Sequence, residues 1–104
     1  MGIQLNEDRQ VSLTVVNSFA SVAANTTAEQ TVTVKGLKPG DHCLAFNKLT
    51  AQAGLGIVNH RVSGADTLAI TFINATGSPI VPTAGDTYAA IIMRPEKNYT
   101  AFPG

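Results

Sequence analysis

Charge is what this chain has least of. Only 13% of its 104 residues are charged, against about 25% in an ordinary protein. Seven Lys and Arg balance seven Asp and Glu, for a net charge of zero with histidines neutral. The charges are scattered, and no basic cluster exists that could release phosphate counterions. Nucleic acid and anionic membranes are therefore excluded as expected partners. Cysteine is nearly absent too. Cys43 stands alone, which rules out an internal disulfide and a Cys-x-x-Cys metal site. There is no tryptophan, and no apolar run approaches the ~18 residues that cross a bilayer as a helix. Glu7, Asp8 and Arg9 interrupt the N-terminal stretch, so no signal peptide is expected there, and synthesis in the cytoplasm is the simplest account.

What the chain does have is β-type patterning. The length gives one domain, and 44% apolar residues give it a core. Val11–Val16 alternates, with Val11, Leu13 and Val15 on one face. Gln30–Lys35 puts Val32 and Val34 inward and leads into a Pro39-Gly40-Asp41 turn. Asp41–Asn47 reads as a strand with His42, Leu44 and Phe46 on one face and Cys43 and Ala45 on the other. Ile57–Ser63 follows, with His60 beside Val58 and Val62, and Ser63-Gly64-Ala65-Asp66 reads as a hairpin connection. Thr67–Asn74 is the clearest strand, with Leu68, Ile70 and Phe72 as core residues. Ile80 and Val81 form a short extended piece that Pro79 and Pro82 confine to an edge. Thr87–Arg94 is apolar on both faces: Tyr88, Ala90 and Ile92 on one, Ala89, Ile91 and Met93 on the other. Such a strand is central and covered on both sides, or it turns its outer face to a partner chain.

About seven short strands without a helix predict an all-β fold, a single antiparallel β-sandwich of jelly-roll or immunoglobulin-like type. The expected organisation is an N-terminal arm over residues 1–10, a sandwich over 11–95 and a C-terminal tail over 96–104. The arm carries Ile3 and Leu5 and the tail Tyr99 and Phe102. Together with Ile91 and Met93 these are the candidate contact residues, because neither terminus has a core of its own to bury them in.

Catalytic chemistry finds little to stand on. Adjacent strand residues project to opposite faces, so His42 cannot activate Cys43. Two histidines without a nearby carboxylate make a weak metal site. Asp41, Asp66 and Asp86 each precede a strand, where a turn explains them. Gly40-Asp41 and Gly85-Asp86 share the same Gly-Asp opener, which ordinary turn chemistry also explains. The triplets Asn25-Thr26-Thr27, Asn74-Ala75-Thr76 and Asn98-Tyr99-Thr100 match the glycosylation pattern, as expected by chance in a Thr-rich chain. No enzyme activity, cofactor or metal is expected.

The segments TTAEQTVTVKGLKPGD, LTAQAGLGIVNHRVSGADTLAITFINATGSPI and PTAGDTYAAIIMRPE together resemble a family of small tailed-bacteriophage structural proteins. The resemblance covers roughly residues 11–95 and rests on turns and strand patterns. It implies a virion component on the capsid exterior, a decoration or cement protein that bridges major capsid protein subunits and stabilises the head. It also implies a homo-oligomer, a trimer in preference to a dimer. The alternative it leaves open is a tail- or baseplate-associated protein that recognises a host surface, whose sign would be exposed aromatic residues in loops.

Overall fold

The computed structural model describes residues 6–14 and 19–95. Six antiparallel strands run in the order β1 (Asn6–Thr14), β2 (Thr26–Thr33), β3 (His42–Lys48), β4 (Leu55–Gly64), β5 (Thr67–Asn74) and β6 (Thr87–Pro95), with no helix among the described residues. They form two three-stranded sheets, β1-β6-β3 and β2-β5-β4. The chain is all-β, as its period-two pattern requires.

The core lies between the sheets. Tyr88, Ala90, Ile92 and Phe46 come from one sheet and Leu68, Ile70 and Phe72 from the other, and Phe19, Val22 and Leu37 from the connections complete the cluster. Leu68, Ile70 and Phe72 are fully buried, as expected. Four rings knit the centre. Phe19 meets Phe72 at 5.1 Å and Tyr88 edge-on at 5.7 Å, and Phe46 stacks on Tyr88 at 5.4 Å. Geometries of this kind add to area burial.

Several boundaries differ from the sequence reading. Residues 6–10, expected in an arm, pair with β6 from Asn6↔Pro95 to Gln10↔Ile91. Their side chains are polar, so no apolar period announces the strand, and it is the ladder of β6 that holds them. Residues 1–5 and the tail 96–104 lie outside the described residues, and with them Ile3, Leu5, Tyr99 and Phe102. β2 starts at Thr26, inside the expected loop, because Ala28 and Gln30 already follow the inward alternation of Val32. The expected extended piece at Ile80 and Val81 makes only a single bridge, Val22↔Ile80, with bonds of 2.8 and 3.0 Å. Flanking prolines remove the donors that would lengthen it, so the described residues hold six strands rather than seven.

β-bulges change which side chains face the core. In β3 the register jumps between Cys43, opposite Ile92, and Ala45, opposite Ile91. Leu44 is the extra residue and is 51% exposed, so Cys43 and Phe46 share the inner face. The expected grouping of His42, Leu44 and Phe46 is corrected accordingly. In β4, Val58 is extra between Ile57 and Asn59 and Ser63 between Val62 and Gly64. His60 therefore shares the inner face with Ile57 and Val62, and Val58 turns outward at 56% exposure.

Candidate interaction surface

The two ends of the β3–β6 ladder are fastened in the same way. Asp41, just before β3, receives Arg94 from the far end of β6: Nε donates to Oδ1 at 2.8 Å and Nη2 to Oδ2 at 2.7 Å. Arg94 Nη2 also donates to the Gly36 carbonyl at 2.8 Å, and the Lys38 N–H donates to Asp41 Oδ2 at 2.9 Å. Asp86, just before β6, pairs with Lys48 at the far end of β3, and Lys48 also donates to the Thr50 carbonyl at 2.7 Å. Each aspartate follows a glycine at positive φ, +96° at Gly40 and +80° at Gly85, a conformation that glycine adopts without strain. The repeated Gly-Asp opener is thus more than local turn chemistry: it places a carboxylate where the partner strand's terminal cation arrives.

His60 links the sheets. Its Nδ1 lies 3.0 Å from the Cys43 carbonyl. A carbonyl only accepts, so Nδ1 carries the proton. The Cys43 thiol donates to the Ala45 carbonyl at 3.4 Å, and burial pushes its pKa up, against a smaller lowering by that bond. This is the opposite of an activated nucleophile. Tyr88 is fully buried, and its hydroxyl has no hydrogen-bond partner among the described residues. Burial, with a smaller contribution from the Asp86 charge, raises its pKa.

Two open clefts flank the β3–β4 side. One, of about 280 Å³, lies against Phe46, Lys48, Gln52, Leu55, Ile57 and Phe72. The other, of about 470 Å³, lies against Asp41, His42, Cys43, Leu44, His60 and Arg61. Among the described residues no group of three or more His, Cys, Asp or Glu is placed to hold a metal ion. Asn74, one of the glycosylation-pattern residues, is fully buried. Its Nδ2 donates to the carbonyls of Val22 at 3.0 Å and Ser78 at 2.8 Å, so its amide is committed to the fold.

The outer faces of the two sheets differ in chemistry. On β2-β5-β4, Glu29 and Arg61 pair across β5 through two 2.9 Å bonds, amid Thr27, Thr31, Thr33 and Asn59. The paired guanidinium lowers the Glu29 pKa, first by its hydrogen bonds. Arg61 stays exposed to solvent while it makes this cross-strand pair. On β1-β6-β3, the outward residues of β6 are Ala89, Ile91 and Met93, with His42, Ala45 and Asn47 of β3 in register beside them. Ile91 is 38% exposed and Met93 is half-buried. These are the two candidate contact residues that fall within the described side chains, and the fold puts them together on one face of β6, with His42 and Ala45 of β3 in register on one side and Asp8 and Gln10 of β1 on the other. The protruding Leu44 was missed as a surface residue, although the adjacent apolar pair Cys43-Leu44 breaks the alternation.

No family model matches the chain, and no curated protein or solved structure is found to be similar to it.

Proposed function

We propose that the chain is a non-enzymatic structural subunit of a bacteriophage virion, a decoration or cement protein on the outside of the head that bridges and stabilises major capsid protein subunits. The observation that carries this reading is the apolar, uncharged outer face of β6. A strand at the centre of a sheet ordinarily turns polar residues to water on its solvent side. Ala89, Ile91 and Met93 do the reverse, while the central strand of the opposite sheet alternates Thr67 and Thr71 with Ala69 and Ile73 beside a closed ion pair. An apolar outer face on a central strand suits a subunit lying on a shell. Many weak copies then hold together through multivalency.

The winding supports the same reading. Pairings β1–β6 and β2–β5 are nested, and β3 and β4 lie at the tip of the ribbon they define. A ribbon folded over in this way is the plan of a jelly roll, shortened to six strands, and jelly rolls are frequent in capsid domains. Fold alone does not carry function, so the weight stays on the face. Phe19, Phe46, Phe72 and Tyr88 are all buried, which takes from the tail or baseplate reading the exposed aromatics it calls for among the described residues.

The test is particle binding. Purified virions of the phage that encodes the chain should carry it in hundreds of copies, counted by quantitative mass spectrometry, and a few copies would favour the tail. Ile91→Lys should leave the thermal midpoint within a few degrees, since Ile91 is exposed, yet weaken binding to stripped heads at least tenfold. Unchanged binding would remove this face from the interface.

A further inference from the structure

The strands that end the two sheets are not equally open. β3 and β4 carry bulges at Leu44, Val58 and Ser63, devices that blunt an edge against pairing. β1 has the consecutive charges Glu7, Asp8 and Arg9 along it. β2 has no bulge and no run of charge, and its contact with the preceding connection is through the Gln30 side chain, which bonds the Ala20 N–H and carbonyl at 2.6 and 2.8 Å. The strand holds one-to-one register with β5 over Thr26–Thr33, contains no Pro or Lys, and its single charge, Glu29, is already paired with Arg61. Among the described residues no strand pairs with its other side.

We propose that the free edge of β2 pairs antiparallel with β2 of a second copy, about a two-fold axis perpendicular to the sheet at Val32. The two β2-β5-β4 sheets then join into one sheet of six strands. The occupant and the register follow from the side chains. Outward along β2 run Thr27, Glu29, Thr31 and Thr33, all exposed, and exposed Lys35 follows at the turn. A two-fold at Val32 sets Thr31 opposite Thr33 of the second copy, twice over, and brings Glu29 across from Lys35 of the second copy, in the turn just past the end of β2 at Thr33. Opposite charges and paired threonines are favourable directly across a ladder. A two-fold between Ala28 and Gln30, at Glu29 itself, would set like charges face to face. With the axis at Val32, Lys35 gains a carboxylate partner, and no charge on this edge faces its own sign.

Purified protein tests this without any particle. Sedimentation equilibrium should give a dimer. Lys35→Glu, at an exposed turn, sets carboxylate against carboxylate at both symmetric positions and should raise the dissociation constant about tenfold, with an unchanged circular dichroism spectrum. In a Cys43→Ser background, a mixture of Thr31→Cys and Thr33→Cys proteins should crosslink on mild oxidation far more than either alone. Directly opposed residues lie about 4.5–5.5 Å apart at Cα, within disulfide reach. A monomeric or trimeric mass, or a dimer lacking either the charge-reversal effect or the crosslink, overturns the proposal.

Discussion

Replacing Asn74 by Asp changes almost no volume and should make the fold depend on acid. Asn74 sits at the end of β5 with 0% exposure. Its surroundings fix the amide orientation. The Thr76 N–H, which can only donate, lies 2.9 Å from Oδ1, and two carbonyls, which can only accept, lie at 2.8 and 3.0 Å from Nδ2. In Asn74→Asp the second oxygen faces those two carbonyls. A carboxylate there would be fully buried with no cation among its described partners, so it takes up a proton and donates to one carbonyl. If it donates to the Ser78 carbonyl, Val22 keeps the Ile80 N–H and the single Thr76 hydroxyl proton stays with Oδ1. The protonated variant should therefore lose only about 1 kcal/mol.

The pH dependence follows from the sign of the shift. The folded pKa rises above the unfolded value of about 3.9, so the unfolded state releases its proton first. The variant is penalised least below about pH 4. It then loses about 1.4 kcal/mol per pH unit until the folded pKa is reached. Between pH 4 and pH 7 the added loss is therefore up to about 4 kcal/mol, a large share of a stability expected at roughly 5–15 kcal/mol for this length. Urea unfolding of both proteins at pH 4 and pH 7 measures it. An equal difference at the two pH values would refute the assigned amide orientation and the burial of the site.

Phe72→Ala should cost about 3–5 kcal/mol by urea denaturation, because the ring is fully buried against Phe19. A loss under about 1 kcal/mol would mean that the neighbouring cleft collapses to fill the space. Gly54→Ala should lower the thermal midpoint by an amount equivalent to about 2 kcal/mol or more. Gly54 holds φ +80°, and an added methyl group would run into Thr76 Cγ2, the residue that also serves Asn74. A midpoint within about 2 °C of the parent would show that this loop gives way freely.

Much of the strand pattern is legible without coordinates, and β5 most of all. Its alternation survives because it is central and paired on both sides, so each residue has one fixed neighbour on each flank. The edges are less legible. Asn6–Gln10 has no apolar side chain in the pattern to mark a face, since that strand is held by backbone bonds to β6. The bulges at Leu44 and Val58 hide for a different reason: inserting one residue shifts every later side chain to the other face. The sequence signal is a pair of adjacent apolar residues, Cys43-Leu44 and Ile57-Val58, in which one must face out. Reading β6 as apolar on both faces singled out Ile91 and Met93, which share one face of the fold. The fastening of Asp41 to Arg94, across 53 positions, could not be read, because nothing local to either residue names the other.

That fastening has a mechanical meaning. A strand at a sheet's edge ordinarily detaches by fraying, one end lifting and the ladder opening bond by bond behind it. β3 has no free end from which to start. At one tip Arg94 holds Asp41, and at the other Asp86 holds Lys48. Each bond links the beginning of one strand to the finish of the other, like two bolts at opposite corners of a hinge plate. Peeling must first break a bolt, and a pull along the strands loads the rungs between them together instead of one after another. That turns the β3 edge of the sheet into a margin that yields all at once or not at all.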